Sequence, residues 1–313
     1  MALSAAARAW RNRGASLAFA LGLVWAACEL EPDPGRRALA LYGLVLVLGY
    51  AHLLGSAWFS ARSFRGRRGV AGTALGALLL LGGFAAYGAL LETAPLVVLP
   101  LLVISTWHTV ENDVVLAATC ARSSGAAPAP REPAPHLLAF GGTALLLAIF
   151  ASTGAGPVLA TLTDTGPLSQ VTPAPWRGLA AGLALALAVA APAWRGAAAL
   201  LATAAAFLPE AVTRGLTFPD VFALFGLYHL LSWLGILVER GHLRRLLAVH
   251  APPAVVYGVL FMAPDHPGTA SARAFALSPA VYLFWSVLHV GQTFRERARR
   301  GGPKPHRGPG PGS

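Results

Sequence analysis

Apolar segments about as long as a bilayer is thick follow one another along most of this chain, separated by Arg, Pro and Gly. A helix needs about 20 mostly apolar residues to cross a hydrocarbon core of ~30 Å. The chain is only 12% charged, whereas a soluble domain carries about 25% charge. We therefore predict an all-α fold, a polytopic transmembrane helix bundle with about ten spans near residues 15–30, 37–59, 69–91, 95–119, 135–153, 176–192, 194–209, 218–239, 246–263 and 275–296.

The distribution of arginine predicts how these helices are oriented. Cytoplasmic loops carry an excess of Lys and Arg, and the basic clusters at residues 62–68, 240–245 and 295–300 fall on one side if both termini are cytoplasmic. The composition, rich in Ala, Arg, Gly and Pro, is typical of a GC-rich bacterial genome, so we expect a multi-pass protein of the bacterial cytoplasmic (inner) membrane. The exceptions on the outer side are Arg36, Arg37, Arg177, Arg214 and Arg273.

The pattern predicts a single transmembrane domain, residues 1–300, followed by a flexible, basic Gly/Pro-rich cytoplasmic tail, residues 301–313. The net charge of +11 lies mostly beside apolar segments, where it meets anionic lipid. We therefore expect membrane lipid around the chain and no nucleic-acid partner, while the sequence does not identify protein partners. It also leaves open whether the sixth and seventh apolar segments are separate spans or one long helix kinked at Pro192.

Four histidines lie inside the predicted helices: His52, His108, His229 and His289. The helices that carry them, the second, fourth, eighth and tenth, all run from outside to inside. The four lie 10, 14, 11 and 6 residues before the next cytoplasmic Arg, or roughly 15, 21, 16 and 9 Å at ~1.5 Å per residue. Ionisable groups inside a membrane usually face the bundle interior and mark a functional site, so we predict that the four rings converge on one metal ion.

Two carboxylates follow His108 on the fourth helix, and we predict both as catalytic residues. Glu111 is three residues after His108 and shares its helix face, where it could bind the metal, orient a ligand histidine or transfer protons. Asp113 points elsewhere and could hydrogen-bond a different histidine. On the last helix, Gln292 could orient His289 in the same way.

The remaining histidines are predicted at helix ends, in loops or in the tail, and of these His250 is the reserve ligand. Small residues beside the four central histidines, among them Gly49 and Gly226, predict that the helices approach closely.

Imidazoles with a nearby carboxylate suit iron, copper or zinc, and the scarcity of Cys and Met argues against copper(I). We favour Fe(II), with zinc or haem as the alternatives.

At these residues the chain resembles the bacterial Brp and Blh family of integral-membrane β-carotene dioxygenases. Gly49-Tyr-Ala-His52 resembles an early Gly-x-Pro-His element of that family, and the segment from Trp107-His108 to Asp113 resembles its His-Phe-Gly-x-x-Asp element. Tyr228-His229 is similar to a later element that combines an aromatic residue with histidine. The resemblance implies non-haem iron held by histidines and oxidative cleavage of a carotenoid.

The chain departs from that family at several positions. The later family element has paired histidines four residues apart, and here the second position is Trp233, so His289 would have to supply that ligand. Ala51 stands where the family has Pro, and Thr109 and Val110 replace Phe-Gly. These differences leave the substrate open.

Our leading hypothesis is a membrane metalloenzyme with a non-haem iron centre between the second, fourth, eighth and tenth helices, oxidising or cleaving an apolar lipid, isoprenoid or carotenoid. One alternative is a haem-binding electron carrier in which pairs of these histidines are axial ligands. Another is a transporter that passes protons or metal ions over the same histidines. Serine hydrolase, kinase and dinucleotide-binding functions are not favoured, because their motifs are missing from the sequence.

Overall fold

Every secondary-structure element that the computed structural model describes is a helix. The described residues are 5–64, 82–83, 85–90, 93–123, 135–163, 169–190, 216–239, 241, 243–262, 270–271, 273–274, 278, 281–282, 284–291 and 293. Within them no strand is present. The predicted all-α class is therefore confirmed.

Eight helices have defined ends, and most of them match a predicted segment. The eighth segment was predicted at 218–239 and is a helix from Phe218 to Glu239. A short 3-10 turn at Pro95–Val97 leads into the third helix. The helices are α1 (Ala5–Leu30), α2 (Pro34–Phe64), α3 (Val98–Ser123), α4 (Pro135–Ser152), α5 (Ala155–Thr163), α6 (Pro173–Ala190), α7 (Phe218–Glu239) and α8 (Leu243–Met262).

Other predicted segments fall partly or wholly outside the described residues. Of the segment at 69–91 the structure describes residues 82–83 and 85–90, which are helical, and of the last segment it describes a helical stretch at 284–291. We call this stretch, which carries His289, the last helical segment. The segment at 194–209 and the tail at 301–313 lie outside the described residues, as does the connection on which the one-helix or two-helix alternative depends.

One helix was not predicted. The α4 helix ends at Ser152 and α5 begins only three residues later, at Ala155. Gly154 between them has a φ of +86°, a left-handed conformation that glycine adopts without steric cost and that commonly ends helices. The sequence after Ser152, with two glycines and a proline, was therefore not predicted as helical.

The α7 helix contributes to two hydrophobic clusters of the described residues. It is apolar on all sides and mostly buried, with Phe222 and Val238 exposed. Val221 and Phe225 join a cluster with α3, α4 and α6, while Leu224 and Leu227 join a second cluster with α1 and α2. Because α7 contributes residues to both clusters, the helix that carries His229 is fixed by contacts with both of them.

Two contacts at different levels show that α2 and α7 run in the same direction, as the topology predicts. Arg37, near the start of α2, forms a two-pronged ion pair with Asp220, near the start of α7, with nitrogen–oxygen distances of 2.9 Å. Further along both helices, the rings of His52 and His229 are 5.6 Å apart. The parallel course brings both histidines to the same depth.

In the described part of the chain, two helical stretches are long and apolar enough to cross a membrane: Arg11–Leu30 near the N-terminus and Pro173–Ala190. Other helices also expose large apolar side chains. Phe140 on α4 and Val259 on α8 are 68% and 63% exposed, whereas Arg37 and Asp220 are 4% and 0% exposed. Large apolar side chains on the described helices therefore face outwards, while the Arg37–Asp220 ion pair is enclosed.

Candidate metal centre

The structure brings the four predicted histidines together from four separate elements. His52 on α2 and His108 on α3 are each 4% exposed, and His229 on α7 and His289 on the last helical segment are half-buried. Ring centroids of His52 and His289 are 4.7 Å apart, and those of His108 and His289 are 5.0 Å apart. The His229 ring lies 5.6 Å from both His52 and His108. The predicted convergence is thus found in the structure.

Three of these rings face one another through the same ring nitrogen. His289 Nε2 lies 3.2 Å from His52 Nε2 and 3.2 Å from His108 Nε2. Two ring nitrogens this close need a hydrogen atom or a cation between them, because two lone pairs that face each other repel. The Nε2 atoms of His52, His289 and His108 therefore lie next to one another, with His289 Nε2 in contact with both others.

Asn112, one turn after His108 on α3, was not predicted as part of the site. Its Nδ2 lies 3.1 Å from His108 Nε2, so the amide donates to that nitrogen when the nitrogen carries no proton. This contact uses the one lone pair of His108 Nε2, so a metal ion bound by that nitrogen would have to displace the Asn112 amide. The spacing of four residues could have indicated the contact, since such residues meet on one helix face.

Trp233, four residues after His229 on α7, separates His250 from the centre. The Trp233 and His52 rings meet edge to face with centroids 4.4 Å apart. On its other side Trp233 lies 5.0 Å from the His250 ring. His250 is buried, at 6% exposure, although the sequence predicted an interfacial position at a helix end. It therefore lies behind the four rings rather than among them.

Asp113 is part of a buried polar network that joins three helices. Its Oδ2 accepts a hydrogen bond of 2.8 Å from the Tyr228 hydroxyl on α7, and its Oδ1 lies 3.3 Å from an Arg13 nitrogen on α1. Arg13 also donates to the Asp113 backbone carbonyl. We expected this carboxylate to bond a histidine; it instead binds the residue next to one, because Tyr228 directly precedes His229.

The other predicted orienting groups take different positions. Glu111 is half-buried on α3, and it does not line the cavity beside the histidines. Gln292 lies outside the described residues. The catalytic roles of Glu111 and Asp113 stay predictions.

The spacing of the histidine nitrogens can be compared with that of metal ligands. Two nitrogens bound to one ion at ~2.1 Å lie about 3.0–3.4 Å apart, depending on the coordination angle. The two distances of 3.2 Å fall in this interval, and the buried His52 Nδ1 has no hydrogen-bond partner among the described residues. As the side chains stand, however, no three His, Cys, Asp or Glu residues in the described ranges form a complete metal site. Two imidazole pairs thus have the nitrogen separation of metal ligands, and a metal site would need the His229 ring to move closer to them.

Comparison with known proteins identifies no relative: no protein family, characterised protein or solved structure matches the chain significantly. The resemblance to the Brp and Blh enzymes therefore depends on the short elements around His52, His108 and His229.

Proposed function

We propose that this chain is an integral-membrane metalloenzyme in which His52, His108, His229 and His289 bind a non-haem iron(II) ion. The observation that carries the proposal is the meeting of four imidazoles from four elements, two of them buried and two half-buried, with two nitrogen pairs 3.2 Å apart. Ionisable groups that lie together inside a membrane protein usually mark a functional site. Zinc is the alternative ion for the same ligands.

The membrane location rests on how polarity is distributed. A soluble protein rarely exposes large contiguous apolar patches, but here large apolar side chains such as Phe140 and Leu185 are exposed on α4 and α6, while Arg13, Arg37 and Asp220 are buried. In lipid this arrangement is the stable one, because apolar side chains meet hydrocarbon and charged groups pair inside. We propose a multi-pass protein of the bacterial inner membrane with about ten spans and both termini cytoplasmic.

Iron(II) held by histidines, with a coordination position left open, would supply the capacity to bind and reduce dioxygen. The residues of the chain would prepare the site for it. The rings of His52 and His108 are buried away from bulk water, and the Asp113–Tyr228 bond fixes α7 against α3. Glu111 is our candidate for proton transfer, and Asp113 acts by positioning Tyr228 and the neighbouring His229.

We propose an apolar lipid or isoprenoid as the substrate class, with open-chain carotenoids among its members. A cavity of about 120 Å³ adjoins all four histidines, and its other walls are mostly apolar.

The haem alternative has less support, since a porphyrin needs far more room than this cavity offers. The hydrogen-bonded row of histidines is the one observation that supports proton transport as a second candidate, and proton flux into proteoliposomes would test it.

Metal analysis of the purified full-length protein tests the proposed function. Protein from cells supplied with both iron and zinc should contain about one iron per chain. The His289→Ala variant should lose most of it, because His289 contacts both His52 and His108. The matched control is His250→Gln, which changes a buried histidine behind Trp233 and should retain the metal. Wild-type protein that is folded and free of metal would overturn the proposal.

A further inference from the structure

The cavity beside the histidines is bounded by five elements: α2, α3, α4, α7 and the last helical segment. Its volume is about 120 Å³. For comparison, a cavity of roughly 150 Å³ in a protein core holds one benzene molecule. The space next to the rings is therefore sufficient for a short piece of a hydrocarbon and too small for a fused ring system.

Three of the hydroxyl groups along the cavity wall already donate their protons to their own helices. Thr106 Oγ1 donates to the Leu102 carbonyl at 2.7 Å, and Thr109 Oγ1 donates to the Ser105 carbonyl at 3.1 Å. Ser286 Oγ donates to the Tyr282 carbonyl at 2.9 Å. The four histidines lie together in the same cavity wall, next to mostly apolar side chains.

Three phenylalanines line the cavity away from the histidines and lead to the exterior. Phe150 and Phe225 are buried, at 4% and 8% exposure, whereas Phe222 is 37% exposed. The Phe150 ring is 5.8 Å from each of the other two. The cavity thus reaches the apolar outer surface at Phe222, where a molecule dissolved in the bilayer has access.

From this geometry we infer that the cavity binds the end of a slim acyl or linear isoprenoid chain, which enters from the membrane past Phe222 and excludes cyclised terpenoids and sterols. A flexible chain end matches both the small volume and the apolar walls, and it would place carbon atoms of the chain against the histidines. This inference rests on the proposed function for its chemistry, but the binding itself can be tested without turnover.

Photocrosslinking of the full-length protein in nanodiscs tests the inference with two probes. One is hexadecanol with a diazirine at its terminal carbon, and the other is a sterol with a diazirine on its ring system. We expect the hexadecanol probe to label cavity peptides, in particular those with Leu146 or Phe225, and the sterol probe to label only exposed positions such as Phe140. Equal labelling of the cavity peptides by both probes, or labelling of exposed positions alone, would overturn the inference.

A single methyl group offers a matched test of the site. A Cβ added at Gly226, which lines the cavity, would meet Val45 at 3.6 Å, an ordinary contact, so Gly226→Ala should fold. The Gly226→Ala variant should reduce cavity labelling about fivefold or more, because the added methyl group takes space in the cavity that the probe would otherwise fill. Gly182→Ala, where a Cβ meets nothing within 4 Å, should leave labelling unchanged, and an equal loss in both variants would contradict the assignment.

The two proposals fail in different ways. Cavity labelling in protein that contains no metal would support the chain site and contradict the iron centre. Iron-containing protein with hexadecanol labels confined to the outer surface would support the iron centre and contradict the chain site.

Discussion

At the scale of single residues, the interior is held by polar side chains that find partners on other helices. Arg37 pairs with Asp220, and Arg13 pairs with Asp113, which also accepts the Tyr228 hydroxyl. Arg37 was an exception to the predicted charge distribution, and its ion pair explains why a positive charge is tolerated there. A buried charge is stable only when it is paired and hydrogen-bonded, so these contacts determine which helices are neighbours.

Replacing Tyr228 by Phe removes one hydrogen bond to a buried carboxylate and keeps the ring. We expect the free energy of unfolding to fall by about 1.5–3 kcal/mol, the usual contribution of a hydrogen bond to a charged group. Tyr50→Phe is the control, because the buried Tyr50 hydroxyl has no hydrogen-bond partner among the described residues; it should be neutral or stabilising. Denaturant titration of both purified variants measures the difference, and equal losses would show that the Asp113 bond is not the cause.

The sequence identified His52, His108, His229 and His289 because an ionisable residue in an apolar segment stands out without knowledge of its neighbours. It placed Trp233 near His229, but it could not identify Arg13 as part of the same region or the contact of Trp233 with His250. Arg13 reaches Asp113 only because α1 packs beside α3, and Trp233 separates His250 from His52 only because α7 and α8 are adjacent. Such contacts depend on helix packing, which the apolar pattern does not specify.

At the scale of helices, glycines set how closely the elements that carry the histidines can approach. A Cβ added at Gly49 on α2 would lie 2.6 Å from the Tyr282 hydroxyl oxygen, closer than real atoms come. Gly49 was predicted to allow close approach, and this contact confirms it. His52 lies one turn further along α2, so the same approach brings its ring to His289.

We therefore expect Gly49→Ala to separate α2 from the segment that contains Tyr282. The overlap should cost about 1–3 kcal/mol of unfolding free energy and lower the iron content. The control is Gly22→Ala on α1, where a Cβ meets nothing within 4 Å, and which should be neutral or stabilising by up to about 1 kcal/mol. A Gly49→Ala protein with wild-type stability and metal content would contradict the close packing.

The ends of a helix were predictable where its apolar segment is bordered by a loop or by a charged residue. Phe218 follows a loop and Glu239 precedes Arg240, so both ends of α7 were found. The α5 helix was missed because its residues follow Gly154 and include Gly156 and Pro157, which usually indicate a loop. Its position depends on packing against α4, and a single-sequence pattern does not contain that information.

At the scale of the whole molecule, large apolar side chains of the described helices are exposed and the Arg37–Asp220 pair is buried, an arrangement that is stable in a bilayer. We predict that the chain stays in the membrane pellet after extraction at alkaline pH, because removing it would expose side chains such as Val189 and Phe140 to water. Fractionation followed by immunoblotting measures this. A peripheral protein of the same membrane is the control, and recovery of this chain in the soluble fraction would contradict the membrane assignment.

The central claim is that imidazoles from separate helices share one metal ion, and X-ray absorption spectroscopy of the purified protein at the iron and zinc edges tests it most directly. We predict a metal shell of nitrogen scatterers at ~2.1 Å with the outer-shell pattern of imidazole, reduced in His289→Ala and unchanged in His250→Gln. A metal bound mainly by sulfur or by water oxygen, or the same spectrum in His289→Ala as in the wild type, would contradict the claim.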